Sequence, residues 1–573
     1  NTYGINGAQG ITFLNYAEVN SVGNVVINSA GGTSYTGSID YKTPSSSYST
    51  LSNNSNSYKM NAFYSMVQNH NSIVQGNFTV NNNYSANDTV RFISLNPYEV
   101  NGTAKKTSFS GTLTLNGITN STVNSALVGV EHQLLSCNGG GPFSCTRNNN
   151  SYSIFENNGE IILNSGYFTI GILIDSEGTQ FLSESQTINK GKIIVNNENS
   201  IGIDFGSYQG GSVDTNPYVV VFPGYVEVNG SNNYGLRIAN IFTSDPTYYA
   251  ASKIDGTNQG NGGIVVKGTK NVGVSLSKQI GSNLIGNISN LNISVDGIEG
   301  IGILRRSDYA QTGNMVFSGT HIQTLDFGAN AIRSVLLRSD NGNITLDRNI
   351  TINNGSGNNV VLQANGTGTS VTNNTGITIT LGTGAKTSIG LLSSGGGSLE
   401  NKGTVVVTEE KSQGISVLGG ASGVNSGNIT LNGQETLGVN NEGTFSMSSG
   451  QITSGAENSI GVYATGATSS TGISGGNITA QNGGIAFYSG DNATINISGS
   501  NVITAKAGGL AFYNHVNSGT VTGKYNISAT SSLKIEEGGM LLYANVSSLS
   551  DIPGIAAAIN SAFTGANNMT ANM

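Results

Sequence analysis

The sequence predicts an all-β chain wound as a right-handed parallel β-helix, a solenoid with lateral loop insertions. Three observations lead there. A short phrase recurs at spacings of 23 to 38 residues, a second alternating motif lies between its copies, and the chain is rich in Gly, Asn and Ser but only 10% charged.

The phrase is a polar residue, a glycine and a run of mainly apolar residues. It reads SIGIDFGS at 200–207, NYGLRIAN at 233–240, SIGLLSSG at 388–395, SIGVYATG at 459–466 and GGIAFYSG at 483–490. Aligned on the glycine or its replacement, the copies fall at Gly171, Gly202, Gly235, Gly273, Gly302, Ala331, Val360, Gly390, Gly414, Gly438, Gly461, Gly484, Gly509 and Gly539. Self-similarity with a period of 20–50 residues marks a repeat architecture. In SIGVYATG the glycine is expected to make the corner of a coil. Ile460, Val462 or their neighbours would fill the interior, according to register.

The second motif appears as NNGEIILNSG (157–166), NKGKIIVNNEN (189–199), NKGTVVVTEE (401–410) and SGNITLNG (426–433). Apolar residues alternate across it, as in Ile161/Leu163 and Ile429/Leu431, which is strand periodicity bounded by turn-forming Asn and Gly. A unit of two short strands cannot bury its apolar face alone, but stacked units can. Coils at about 4.8 Å would carry fourteen phrases over roughly 60–65 Å, and irregular earlier coils would extend the rod to roughly 90 Å. Units of 23–25 residues are too short for a propeller blade, and no Leu-x-x-Leu-x-Leu pattern supports a leucine-rich repeat.

Four zones follow. Residues 1–155 read as irregular coils with long inserts, 156–345 as insert-bearing coils, 346–550 as a regular shaft, and 551–573 as a short helix or the start of another coil. The inserts include GSYQGGSVDTNPYVVVFPG (206–224), IFTSDPTYYAASKIDGTNQGNG (241–262) and RRSDYAQTG (305–313). Because coils stack in register, insertions at one corner become neighbours and form a lateral platform. Cys137 and Cys145 flank a Gly/Pro-rich loop, and their spacing permits a disulfide suited to an oxidising compartment. Two reduced thiols are the alternative. The chain reads as an excised piece of something longer.

Composition narrows the function. A net charge of −8 and a pI near 5.1 without a basic cluster argue against nucleic acid as a partner. No run of 18 apolar residues is present, so no helical membrane span is expected. Parallel β-helices also host polysaccharide lyases and hydrolases, which need clustered carboxylates. The 32 acidic residues here are scattered. Asp204, Asp245 and Asp308, with Arg237, Arg305 and Arg306, lie in the insert zone, where solvated or capping roles are the plainer reading. The adjacent pairs Glu409–Glu410 and Glu536–Glu537 would point to opposite faces of a strand. His70, His132, His321 and His515 lack metal-ligand spacing, so no metal, cofactor or catalytic residue is assigned.

What remains is binding. The inserts concentrate Tyr208, Tyr218, Phe222, Phe242, Tyr248, Tyr249 and Tyr309, and tyrosine offers a large face for stacking on a sugar or anchoring a protein contact. The ligand-binding candidates are Tyr208, Tyr218, Asp245, Tyr248, Tyr249, Arg305, Asp308 and Tyr309. For any one tyrosine, packing of the insert onto the coil is the simpler role.

The segments NKGKIIVNNENSIGIDFGS (189–207), NKGTVVVTEEKSQGISVLGG (401–420) and GNITAQNGGIAFYSG (476–490) carry a family resemblance. Their N-x-G-x-[IV]-x-[VL] strand followed by [SN]-x-G-[IVL] resembles the passenger region of type V autotransporters. The Asn/Lys-rich flavour is similar to the giant fusobacterial outer-membrane adhesins, a group with a galactose/N-acetylgalactosamine-binding lectin and an arginine-inhibitable interbacterial adhesin. The resemblance covers most of 160–550 and matches no binding-residue motif. It implies a monomeric, non-enzymatic passenger at the bacterial surface, tethered to an outer-membrane barrel not present in this chain. Its expected partners are host-cell glycans, host receptor proteins and other bacteria, with residue 1 distal.

Overall fold

A computed structural model describes residues 11–13, 19–28, 34–41, 61–68, 72–81, 89–97, 105–119, 121, 126–133, 153–176, 186–209, 218–221, 224–238, 241–242, 252–255, 263–277, 288–306, 314–318, 322–517, 520–528, 530–544, 563–564 and 570–572. Every regular element among them is a β-strand. Strands pair in parallel from coil to coil, apart from the antiparallel pairs Val19–Asn28 with Ser34–Tyr41 and Val516–Asn517 with Thr520–Val521. The chain is a parallel β-helix. Its contacts group into two units, Asn1–Thr312 with Thr320–Leu325, and Gly313–Gly319 with Asp326–Met573. The expected helix at 551–560 and the Cys137–Cys145 loop lie outside the described residues.

In the second unit a coil contributes three strands, the second and third running together as one in Ser470–Ala480 and Thr494–Ala505. The phrase forms one column, running through Ile389–Ser394, Gln413–Val417, Leu437–Asn441, Ile460–Ala464, Ile485–Ser489, Leu510–Asn514 and Met540–Ala544. Strands such as Ser398–Asn401 and Ser422–Asn425 form a second column, and Thr404–Val407 and Asn428–Leu431 a third. Inward residues of the third column make a continuous apolar row: Ile379, Val405, Ile429, Ile452, Ile478 and Ile503 are all buried. Each such side chain contributes about 1.5–3 kcal/mol through burial. The outward positions are mainly threonine, with Val406 and Val502 as apolar exceptions, in keeping with alternation on a one-sided strand.

The first unit repeats the scheme. Its phrase column runs back from Ile301–Arg306 through Val272–Ser277, Tyr234–Ile238, Ile201–Gln209 and Thr169–Ser176. It then continues through Ala126–Gln133, Thr89–Pro97 and Asn61–Gln68, so coils that the sequence reads only weakly share the same pairing. Gly129 pairs alongside Gly171 as one more copy of the phrase.

Register corrects the role of the glycine. Gly461 stands within the strand Ile460–Ala464, and the corner lies at Asn458, whose φ is 55°. The same left-handed corner recurs at Asn199, Asn232, Lys270, Glu299, Lys411 and Glu435. It turns the corner N–H along the axis: Asn458 donates to the Gly483 carbonyl at 3.0 Å, and Glu435 to that of Glu457 at 3.1 Å. Glycine is needed where it stands because it and the next residue both face inward. A Cβ on Gly414 would lie 2.8 Å from the Gly438 carbonyl oxygen, and one on Gly438 would lie 2.5 Å from that of Gly461.

Where the phrase carries paired glycines, the alignment shifts. Ile485 pairs with Ile460 and Leu510 with Ile485, so Ala486 and Ala511 occupy the strand position. The preceding Gly483, Gly508 and Gly538, all at positive φ, make the corners there. In the same way Leu336 and Val361, not Ala331 and Val360, are the equivalents in their coils.

The polar residue that opens the phrase is buried and links coils. Ser200 N–H donates to Asn233 Oδ1, and Asn233 N–H to Asn271 Oδ1, each at 2.8 Å. A second buried column passes a side-chain bond along the axis, from Asn373 to Asn401 and from Asn401 to Asn425, each at 2.8 Å. In the later coils aromatics fill the interior. Phe487 and Phe512 stack with centroids 5.6 Å apart, and the buried Tyr525 hydroxyl donates to the Tyr513 carbonyl at 2.6 Å.

Two substitutions probe these positions. Gly414→Val forces two methyls and a Cβ against the Gly438 carbonyl and is expected to cost about 1–3 kcal/mol, read as a lowered melting temperature. Glu435→Asn relieves a left-handed non-glycine corner and gives up an exposed 3.7 Å ion pair with Lys411, worth little. It is expected to raise stability by about 0.5–1 kcal/mol.

Candidate functional site

The structure describes the strands that flank the inserts. Residues 208–209 of the strand Ile201–Gln209 pair with Ile241–Phe242. Tyr218–Val221 pairs with Ser252–Asp255, which pairs in turn with Ile288–Ser289. On the other side, Tyr218–Val221 adds to Gln186–Asn189, and that strand to Ser153–Asn157. The flanks of successive inserts are therefore in parallel register. Tyr208 lies in this paired flank and Tyr218 opens its strand. Asp245, Tyr248, Tyr249, Asp308, Tyr309, Cys137 and Cys145 lie outside the described residues.

Arg305 is the penultimate residue of the strand Ile301–Arg306 and is only 2% exposed, so its side chain belongs to the packed coil. Burial lowers its guanidinium to about 10, which leaves it charged at neutral pH. Asp204 and Arg237, one coil apart, hold one another through two bonds of 2.9 and 2.6 Å. A carboxylate gripped by that fork is not available as a general base. The neighbouring Arg306 donates to the Tyr234 hydroxyl at 3.0 Å.

Other titratable groups also have structural employment. Glu131 is buried and takes Arg91 at 2.5 Å. Glu227 accepts from Tyr225 at 3.1 Å and faces Lys267 at 3.4 Å. Burial opposes ionisation of Glu227, but hydrogen bonds from Asn229, Tyr225 and Lys267 with the Lys267 charge outweigh it and hold the carboxyl below its ordinary value. Glu409–Glu410 and Glu536–Glu537 sit in turns rather than on a strand, and Glu409 accepts the Gly384 N–H at 2.6 Å. Among the described residues no group of three His, Cys, Asp or Glu side chains converges to hold a metal ion. No described helix is long and apolar enough to cross a membrane.

Sequence reasoning missed one feature. Tyr463, Tyr488, Tyr513 and Tyr543 occupy the same outward position in four successive phrase strands. Their ring centroids lie 5.0, 4.6 and 5.4 Å apart, and Tyr488 and Tyr513 are nearly parallel, at 10°. The Tyr488 hydroxyl lies 3.0 Å from His515 Nδ1. Burial, then the neighbouring Tyr513, Tyr463 and Asp491, push the Tyr488 hydroxyl upward, so it stays protonated. The signal was available as a tyrosine two residues after each aligned glycine or alanine, in GVY, AFY and AFY.

No family model, no curated protein and no solved structure matches this chain.

His132 gives a pH test. It is fully buried, 2.9 Å from the Thr187 hydroxyl, and burial lowers it from 6.5 to about 3. The unfolded chain takes up a proton below pH 6.5 while the folded chain does not until about pH 3. Stability attributable to this group is therefore flat above pH 6.5 and falls as pH drops through that window. By pH 5 the loss is expected to reach about 2 kcal/mol. Denaturant titrations at pH 7.5 and 5 should show that extra loss in the wild type and not in His132→Gln.

Proposed function

We propose that this chain is part of an extracellular adhesin, a β-helical scaffold whose lateral inserts bind host-cell glycans of the galactose/N-acetylgalactosamine type or host receptor proteins. The observation that carries the reading is the parallel register of the insert flanks, Tyr208–Gln209 on Ile241–Phe242 and Tyr218–Val221 on Ser252–Asp255. In this proposal the segments between those flanks, 210–217 and 243–251, together carry the ligand. The second segment carries Asp245, Tyr248 and Tyr249, residue types that hydrogen-bond hydroxyls and stack on rings. In this reading the chain belongs to an autotransporter passenger at the bacterial surface, as the resemblance of its repeats implies.

The mutual engagement of Asp204 with Arg237 favours binding over hydrolysis in this zone. The test replaces 210–217 and 243–251 with short Gly-Ser turns, keeping the paired strands. Adhesion to galactose-bearing host cells is expected to fall at least tenfold while the melting temperature holds. Unchanged adhesion would sink the insert reading. A chain that binds neither cells nor glycans before trimming would be a spacer.

A further inference from the structure

The outer face of the phrase column in the second unit has its own chemistry. Two residues per rung point outward, one before the aligned glycine and one two after it. At four successive rungs these are Ile460 with Tyr463, Ile485 with Tyr488, Leu510 with Tyr513 and Met540 with Tyr543, Leu510 alone among them being buried. The two rungs before them carry Gln413 with Ser416 and Leu437 with Asn440, so the tyrosine row ends at a polar position while the aliphatic row runs one rung further. Ile460, Ile485, Tyr463, Tyr488 and Tyr513 are each partly exposed, and Met540 and Tyr543 are exposed.

We propose that this strip is a binding site for an uncharged oligosaccharide lying along the helix axis. Three lines of argument select that occupant. The first is area. Four rungs of about 4.8 Å by three residues of about 3.3 Å make a strip of roughly 190 Å². A stable partner chain needs about 800 Å² per side, so a second copy is not supported here. The second is charge. Asp491 sits beside the strip, its carboxylate accepting the Thr465 hydroxyl at 2.8 Å and opposing ionisation of Tyr488. That field disfavours a uronate, sulfated or sialylated chain. The third is the form of the surface. Tyr488 and Tyr513 stack and Tyr463 tilts against Tyr488, so ring faces are spent on one another and leave a row of phenol groups, the Tyr488 hydroxyl shared with His515 Nδ1, beside an aliphatic row. Sugar hydroxyls can hydrogen-bond the first while the C–H face of the pyranose lies on the second. The inference stands apart from the insert reading, since it uses different residues on a different unit.

The test uses the full chain and two uncharged hexasaccharides, cellohexaose and β-1,4-galactohexaose, with hexagalacturonate as the anionic comparison. Binding is measured by titration calorimetry and by saturation transfer to the sugar protons. At least one uncharged hexamer is expected to bind, and hexagalacturonate at least tenfold more weakly. Tyr488→Ser with Tyr513→Ser should weaken binding at least tenfold. The triple change Tyr463→Phe, Tyr488→Phe and Tyr513→Phe keeps the stack and removes the hydroxyls. It should weaken binding at least fivefold with the circular-dichroism melt retained, which preserves the test should the serine variant fail to fold.

Absence of binding by both uncharged hexamers, or binding untouched by the phenylalanine variant, overturns the proposal. So does tyrosine-dependent dimerisation in sedimentation, which would assign the strip to a second copy. The variant lacking 210–217 and 243–251 should bind the hexamers as the wild type does. Loss of cell adhesion in that variant with hexamer binding intact supports both sites, and loss of hexamer binding there places the sugar on the inserts instead.

Discussion

A parallel strand carries hydrogen-bonding groups on both edges, and in this molecule almost every one is satisfied by the coil before or after. The coil is therefore the wrong unit in which to think of stability; the contact between coils is the right one. Interior rows of isoleucine and valine supply the apolar share of that contact. Its polar share runs through the corner amides, the Ser200–Asn233–Asn271 row and the Asn373–Asn401–Asn425 row. Each row spends a buried polar group on its counterpart one coil away, so burial leaves both partners bonded. A departure from the common rise would break all of these rows together, which is why strand registers in the second unit run coil after coil without a slip until the bulge in Ser470–Ala480.

That dependence explains what could be read from the sequence. Alternation in NKGTVVV and SGNITL is written in residue types, and the Val405–Ile429 and Val407–Leu431 pairs stand where it places them. The fold class followed, because nothing but stacking buries such units. The phrase was harder. Its glycine looks like a turn residue, yet at Gly414, Gly438 and Gly461 it is held by the carbonyl of the next coil, a contact no single copy reveals. The corners fell instead to Asn, Lys and Glu, whose left-handed backbone is a tertiary imposition. Paired glycines at 483–484, 508–509 and 538–539 then offered two candidates, and the wrong one resembles the rest of the alignment better.

Side-chain direction was the other gap. Two consecutive inward residues at the glycine break the simple alternation, so Ile460 and Tyr463 both point out while Val462 and Ala464 point in. A period-two reading sends half of these the wrong way and hides the tyrosine column, because tyrosine beside apolar neighbours looks like core. The insert residues were legible as a composition anomaly only. Of the eight binding candidates, Arg305 is a case where the local sequence, RRSDYAQTG, gives no hint that one arginine is packed and its neighbour is exposed.

The left-handed corner has an evolutionary consequence. It resets the direction of the chain immediately before each phrase, with its amide already committed to the adjacent coil, as at Asn232 N–H on the Thr269 carbonyl at 3.2 Å. Whatever precedes it can therefore change in length without propagating an error into the next rung. The interval from Gly202 to Gly235 is 33 residues and that from Gly438 to Gly461 is 23, yet both close on the same backbone geometry. Such a joint separates two rates of change: the scaffold is under tight mutual constraint, whereas the segment between strands behaves as an exchangeable cassette. A chain built this way can vary the segments between its strands by insertion and deletion, the coarsest kind of mutation, at little cost to its fold.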